Sequence, residues 1–271
     1  MDEKQALDKD ALDQILWRHI SGLPYFRGFL RAVEDRFLQE IPLIEPQLDL
    51  GSGDGHFASV AFSRTPDIGL DPWVAPLTEA RTRDAYRMLV LGEGAQIPAA
   101  DASLNTVPSI PVLAHIPEIE PGIAEVARVL RPGGRFVFCV PNDRFPELLW
   151  GRQVLDKLGL QKLAAGYSRF FNKIARHAHT DSPEVWEDRW AAAGLEVEQT
   201  WDYFPPKALH VLEWGHPLGI PELFSKKVFG KWVLVLTRWN LAIPWALTRK
   251  TLDDPRSEQG VCTYFIARRP A

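Results

Sequence analysis

Between positions 10 and 40 the apolar residues Leu12, Ile15, Leu16 and Ile20, then Phe26, Phe29, Leu30, Val33 and Phe37, recur at helical spacing with a break near Gly22 and Pro24. That pattern predicts two amphipathic helices. Their apolar faces must pack on the body of the protein, and they can also cover a ligand site. Further on the pattern shifts to short apolar runs bounded by turn residues, at 47–50, 68–70, 88–91, 105–113, 135–140, 195–200 and 261–266, which read as strands. Helical stretches fall between them. Ile123, Val126, Ala127 and Leu130 lie at i, i+3, i+4 and i+7, and Trp186, Trp190 and Ala193 share one face of a helix that starts at Ser182-Pro183-Glu184 and stops at Gly194.

The first strand runs into Leu48-Asp49-Leu50-Gly51-Ser52-Gly53-Asp54-Gly55-His56, with glycine at every second position of the turn. Glycine lacks a Cβ and accepts positive φ, so such a turn brings backbone close to a ligand, and a helix starting there offers free N–H groups and a positive dipole end. The dinucleotide fingerprint needs a glycine where this chain has His56, which weakens a nicotinamide-dependent oxidoreductase. Asp71 ends the second strand about twenty residues after Gly51, the spacing at which a carboxylate accepts from both ribose hydroxyls. It can instead cap a helix whose first residue is Pro72.

The Asp49-x-Gly51-x-Gly53-x-Gly55 run resembles motif I of class I S-adenosylmethionine-dependent methyltransferases. The segment from Gly92 to Pro98 and the turn His115-Ile116-Pro117 resemble later landmarks of that family. The run Arg128-Val129-Leu130-Arg131-Pro132-Gly133-Gly134 closely resembles the signature of its methyltransferase-11 type. The resemblance implies an α/β, Rossmann-like, seven-stranded, mostly parallel sheet with helices on both faces. One domain would fill residues 1–271, with a helical cap over 1–42, a cofactor-binding half over 43–142, a helical insertion shaping the acceptor site over 143–180 and a Trp-rich insertion over 205–258. It implies S-adenosyl-L-methionine as cofactor, with Asp49 at the amino end, Gly51, Ser52, Gly53 and Gly55 along the methionine part, Asp71 and Pro72 at the ribose, Glu93, Gly94 and Ala95 at the adenine, and backbone near Ile110. Two departures stand out: Asn105 replaces a usual aspartate, and Pro108 and Pro111 sit in strand four, where a proline removes a ladder hydrogen bond and could end the strand early.

Methyl transfer is an in-line displacement governed by positioning, and a protonated oxygen or nitrogen acceptor also needs a nearby base. His115, His177 and Tyr167 are the candidates, with His179 and His210 behind them, although a lone histidine is more often structural. His177-Ala178-His179 has no further well-spaced ligands, so no metal is expected.

Composition narrows the partners. With 46% hydrophobic and 24% charged residues and a net charge of -4, the chain is of ordinary globular type and nucleic acid is not an implied partner. Cys139 and Cys262 read as reduced core thiols, and the polar Met-Asp-Glu-Lys-Gln start lacks an apolar signal segment, so a cytoplasmic protein is expected. The stretch 203–258 mixes Trp214, Trp232, Trp239 and Trp245 with Lys226, Lys227, Lys231, Arg238, Arg249 and Lys250. A central arginine costs about 2.5–3.5 kcal/mol on insertion scales, which argues against a membrane span. A surface-lying membrane contact, a lid over a lipid-like acceptor, a dimer contact and a subdomain packed on the core all remain open. The expected function is therefore methyl transfer to a small-molecule or lipid-like acceptor, against a non-catalytic protein of the same fold that binds a partner or membrane through the insertion.

Overall fold

The computed structural model describes residues 7–271, so the polar Met-Asp-Glu-Lys-Gln start lies outside the described residues. Two helices come first, α1 (Lys9–Gly22) and α2 (Tyr25–Leu38), with the break at Gly22 to Pro24 where the pattern predicts it. Then come β1 (Leu48–Leu50), α3 (His56–Ala61), β2 (Ile68–Asp71), α4 (Val74–Arg83), β3 (Met88–Leu91), β4 (Leu104–Ser109), α5 (Glu120–Val129) and β5 (Leu130–Pro141). Helices α6 (Arg144–Glu147), α7 (Trp150–Lys157), α8 (Gln161–Ala175) and α9 (Pro183–Ala192) precede β6 (Glu196–Tyr203). Helices α10 (Pro206–Leu218), α11 (Ile220–Phe229) and α12 (Ala242–Asp253) lead to β7 (Cys262–Arg268).

The strands do not form the continuous seven-stranded sheet that the resemblance implies. They form a parallel three-stranded sheet, β1-β2-β3, and a four-stranded sheet, β4-β5-β7-β6, in which β7 is antiparallel to both neighbours. The two meet at a seam between β1 and β4, held by a single parallel bridge, Gln47 to Thr106. Pro108 explains the break. The Thr106 N–H donates to the Pro46 carbonyl at 3.4 Å; one rung further on, the donor facing β1 would be the N–H of residue 108, which proline lacks. Side chains close the gap: the Ser109 hydroxyl donates to the Leu50 carbonyl at 2.9 Å, and the Asn105 amide donates to the Glu45 carbonyl at 2.6 Å. An aspartate at 105 would lack that donor. Strand four ends at Ser109, short of Pro111, and a 3-10 turn comes next at Leu113–His115.

The run Arg131-Pro132-Gly133-Gly134 interrupts the ladder. It is a bulge inside β5: the ladder to β4 pairs Leu104 with Leu130 and next Thr106 with Arg135, leaving the four residues displaced. The Gly133 N–H donates to Arg269 O and the Arg269 N–H to Gly134 O, so the bulge is pinned to the chain after β7.

Period-two alternation divides the core. Val137 and Cys139 of β5 with Tyr264 and Ile266 of β7 face α1, α2, α10 and α12, whereas Phe136 and Phe138 with Phe265 face α5 and α9. On the second face Trp186 and Trp190 stack at 5.6 Å, and Trp190 packs on Phe138 at 4.3 Å. Both faces of the central strands are therefore dry, and the polar site is pushed to the carboxyl ends of β1 to β4.

Candidate functional site

A cavity of about 1010 Å³ opens at those strand ends. Its walls come from the turn after β1 (Gly51), the end of β2 (Asp71, Pro72), the turn after β3 (Glu93, Gly94, Ala95), the segment 111–119 after β4, and, across from these, α2, α8 and α10.

The glycine turn is shaped by backbone geometry. Gly51, Gly53 and Gly55 hold φ of 82°, 56° and 71°. A Cβ on Gly51 would overlap the side chain of Val112, so residue 51 must be glycine on two counts. Gly55 is the left-handed residue from which α3 starts. The turn is fastened to β2, since the Gly51 and Ser52 N–H groups donate to Leu70 O at 2.8 and 3.0 Å and the Gly53 N–H donates to Asp71 Oδ2 at 2.9 Å. Asp71 Oδ1 accepts from the Trp73 N–H at 2.9 Å, so its carboxylate is fixed while each oxygen keeps a lone pair for a ligand hydroxyl. Helix α4 begins at Val74 with Trp73 in the capping position, so Asp71 is not the cap of a helix starting at Pro72.

The turn after β3 is clamped by the Arg128 side chain. Its guanidinium donates to Ile97 O and Ala99 O, both at 2.9 Å, and to Asp101 at 2.6 Å, while pairing with Glu125, which accepts from the Ile97 N–H at 2.8 Å. The first arginine of the 128–134 run thus holds the segment just past Glu93, Gly94 and Ala95. Arg269 completes the corner by donating to Ala127 O, Arg128 O and Leu130 O at the end of α5.

Gly51, Asp71, Pro72, Glu93, Gly94, Ala95, His115 and His177 line one cavity. Asp49, Ser52, Gly53, Gly55, Ile110 and Tyr167 do not reach its wall. Asp49 lies beneath the turn and accepts from the Tyr86 hydroxyl at 2.5 Å, and burial pushes its carboxyl up to about 6. Ser52 Oγ is buried beside it without a partner among the described residues. Tyr167 points the other way and donates to Glu213 at 2.6 Å. Glu213 also accepts the Trp150 and Gly151 N–H groups, so this tyrosine ties α8 to α10 and the start of α7.

His115 and His177 face each other at 5.7 Å, nearly parallel, and Phe145 sits edge-on to His177 at 4.9 Å. His115 Nδ1 is 2.9 Å from the Arg176 carbonyl, and His177 Nδ1 is buried without a partner among the described residues. Burial, then the neighbouring His115 and His216, hold the His177 imidazole down to about 3, and His115 is lowered for the same first reason. Both rings are neutral at pH 7, although a nitrogen as weakly basic as that of His177 accepts a hydrogen bond better than it captures a proton. The other candidates hold structure: His179 Nε2 is 3.1 Å from Pro117 O, and His210 Nε2 is 3.0 Å from Leu148 O.

The cavity also contains residues that sequence reasoning missed. Arg27, Arg31 and Glu34 of α2 line it, with Arg176, His216 and Cys262. The signal of the three on α2 was present as polar residues at i, i+4 and i+7 along one line of the helix, of which Glu34 is buried.

Comparison with known proteins fits this geometry. Residues 48–138 match the family described as Methyltransferase domain. A protein of Mycolicibacterium smegmatis described as a probable S-adenosylmethionine-dependent methyltransferase is 34% identical over 96 residues, which are 35% of this chain and 37% of that one. The malonyl-(acyl-carrier protein) O-methyltransferase of Methylococcus capsulatus is 36% identical over 97 residues, 34% of this chain and 35% of that one. The chain spans less than half the length of these relatives. Among solved structures, the geranyl diphosphate C-methyltransferase of Streptomyces coelicolor A3(2), in complex with Mg2+, geranyl diphosphate and S-adenosyl-L-homocysteine, superposes with a TM-score of 0.56 at 14% identity, covering 88% of this chain and 79% of that one. The (4+2)-cyclase SpnF superposes with a TM-score of 0.54 at 17% identity, covering 89% and 81%. The part of the chain that forms the glycine turn and the strand ends, residues 48–138, is thus the part that is similar to a methyltransferase domain, and the relatives similar over it include a probable S-adenosylmethionine-dependent methyltransferase.

Proposed function

We propose that the protein transfers a methyl group from S-adenosyl-L-methionine to a small or lipid-like acceptor held in the same cavity. The observation that carries this reading is the continuity of the cavity from a polar rim at Gly51, Asp71 and Glu93 to an apolar chamber walled by Phe26, Leu30, Phe145, Phe171 and Leu212. Its volume is at the top of the range of roughly 300–1,000 Å³ for ligand pockets, which leaves room for a second molecule beside the cofactor. The residues fit the cofactor. Asp71 has free lone pairs for the ribose, Glu93, Gly94 and Ala95 edge the adenine subsite, and the close backbone at Gly51 takes the methionine part, with Ser52, Gly53 and Gly55 shaping the turn and Asp49 acting from below through Tyr86.

When bound, the cofactor supplies an electrophilic methyl group on a sulfonium and leaves as S-adenosylhomocysteine. The chain supplies orientation: apolar walls hold the acceptor, and the segment 111–119 lines the cavity beside it. Where the acceptor starts protonated, the lining histidines His115 and His177 would take a hydrogen bond from it.

A second reading concerns access. Trp239 is 77% exposed and Ile243 72%, and they share α10 to α12 with other exposed apolar side chains at Trp214, Phe224, Phe229 and Leu236. Lys227, Lys231 and Lys250 are exposed in the same stretch of chain. Tryptophan with lysine is the composition of a surface-lying membrane anchor, and no helix among the described residues is long and apolar enough to cross a membrane. The insertion would rest on a lipid surface and pass a lipid-like acceptor inward.

Titration with S-adenosylhomocysteine by calorimetry tests the cofactor claim; saturable binding at about 10 μM or tighter is expected, and no heat counts against it. Labelled-methyl transfer from the donor to extract components separates a methyltransferase from a protein that uses the fold otherwise, since the same fold carries a cyclase.

A further inference from the structure

Helix α8 has one packed face and one open face. Inward, Ala164, Ser168 and Phe171 are buried; the Ser168 hydroxyl donates to the Pro146 carbonyl at 2.7 Å and Tyr167 donates to Glu213 of α10, which fixes the helix about its axis. Outward lie two rows with the same spacing. Lys162, Arg169 and Lys173 stand at i, i+7 and i+11, and Leu163, Phe170 and Ile174 repeat that spacing one residue on, about 100° around the helix. All six are exposed, the apolar three by 59%, 58% and 45%. A face that merely met water would carry polar side chains in the second row; single exposed apolar residues need no explanation, but a row of them does. Leu158 and Leu160, in the turn that leads into α8, are exposed as well. The charge is equally one-sided. From residue 157 to residue 180 the chain has Lys157, Lys162, Arg169, Lys173 and Arg176 and no acid, although the whole protein has a net charge of -4. Lys162, Arg169 and Lys173 form no ion pair among the described residues, unlike Arg152 of α7, which reaches Asp156 at 3.4 Å.

Resting on the lipid-like acceptor of the proposed function, we propose that the outer face of α8 docks on an anionic lipid bilayer, with Leu163, Phe170 and Ile174 entering the headgroup region and Lys162, Arg169 and Lys173 on the lipid phosphates. A row of cations beside a row of large apolar side chains is how a helix lies in the plane of a membrane surface, its apolar groups below and its cationic groups among the headgroups. The sign of the charge decides the occupant. Two copies of this chain joined through this face would set like charges against each other, whereas an anionic leaflet complements them. This contact is distinct from that of α10 to α12, and the two surfaces adjoin: Trp150 of α7 packs on Trp214 of α10 at 4.9 Å, and both are exposed. Ile174, at the end of the apolar row, also lines the cavity, so docking brings the bilayer to the cavity wall and gives a lipid-like acceptor an entry beside that residue.

The test is co-sedimentation of the full chain with vesicles of phosphatidylcholine alone and with about 30% phosphatidylglycerol, at low and high salt. Each basic side chain near an anionic surface strengthens binding about fivefold, so the three of α8 should favour the anionic vesicles about 100-fold at low salt, and high salt should shrink the difference. Lys162→Gln/Arg169→Gln/Lys173→Gln should lose most of that preference, and Leu163→Gln/Phe170→Gln should weaken binding to anionic vesicles at least about tenfold. Both variants should bind S-adenosylhomocysteine and octan-1-ol, a soluble acceptor probe, within about twofold of the wild type, because none of these five residues lines the cavity. Trp239→Ser/Ile243→Ser reads the other insertion separately and should keep the preference for anionic vesicles. Equal binding to the two kinds of vesicle by the wild type would overturn the proposal. So would a charge variant of α8 that keeps the full preference, which would assign it to the basic residues of 226–250. Binding to soluble polyglutamate as tight as to the anionic vesicles, and unaffected by Leu163→Gln/Phe170→Gln, would identify an acidic protein as the partner and overturn it too. A wild type that docks on anionic vesicles through α8 yet binds no S-adenosylhomocysteine supports the docking face and removes the methyltransferase reading, so the two claims fail separately. Unchanged thermal midpoints establish that the variants are folded.

Discussion

The two ends of the cavity are built by different means. The cofactor end is made of backbone: three turns after parallel strands, fixed by Gly51, by hydrogen bonds from the glycine turn to Leu70 and Asp71, and by the Arg128 clamp. The acceptor end is made of side chains, Phe26 and Leu30 of α2, Phe171 and Ile174 of α8 and Leu212 of α10 with Phe145, which come from elements far apart in the chain. A backbone-built site tolerates few substitutions and can serve one cofactor through many proteins. A side-chain-built site changes its ligand when a few residues change.

Substitutions at the two ends should therefore differ in kind. The largest effect is expected for Gly51→Val, which forces a side chain into Val112 at positive φ; cofactor binding should fall at least about 100-fold, measured with S-adenosylhomocysteine. Asp71→Ala removes charged acceptors for a ligand and for the Gly53 N–H, and at about 1.5–3 kcal/mol per charged hydrogen bond the loss should be about 10- to 100-fold in cofactor affinity. If either variant instead altered acceptor-probe binding alone, the division of the cavity would be broken. Arg128→Ala should cost about 1–2 kcal/mol of stability and weaken the cofactor without changing acceptor probes, because it frees the segment at Ile97 and Ala99. Tyr167→Phe should leave the rate within about twofold, since its hydroxyl serves Glu213, and should appear only as a small loss of thermal stability of about 1 kcal/mol.

How much could be read in advance tracks the same division. Strand positions and the glycine turn are local requirements, so residues 48–55, Ile68 to Asp71 and Met88 to Leu91 reveal themselves in sequence. The seam at β1 and β4 depends on which way the missing N–H of Pro108 faces, and that is fixed only by register. The bulge at 131–134 depends on its bonds to Arg269, more than a hundred residues away. Arg27, Arg31 and Arg176 looked like ordinary helix-surface charges because nothing local shows that they line one cavity. Tyr167 was a reasonable chemical candidate that packing with Glu213 turned away from the cavity.

A pH experiment sharpens the comparison from the stability side. His56 lies buried under the cofactor end beside His19, at a ring distance of 5.4 Å, and burial lowers its imidazole to about 3. Its folded value is below the ordinary 6.5, so the stability it contributes is fully present above about pH 6.5 and is lost as the pH falls toward about 3. His56→Leu should show a smaller drop in thermal midpoint between pH 7 and pH 5 than the wild type. An unchanged drop would place the acid sensitivity elsewhere, with His177 at the acceptor end as the next group to replace.

The most direct measurement is a crystal structure of the full chain with S-adenosylhomocysteine. The ribose should lie against Asp71, the adenine against Glu93 and Ala95, and the sulfur should face an open chamber between His115 and Phe145. S-adenosylhomocysteine lying among Phe26, Leu30, Phe171 and Leu212, or a chamber closed off from its sulfur, would contradict the division of the cavity into a cofactor end and an acceptor end.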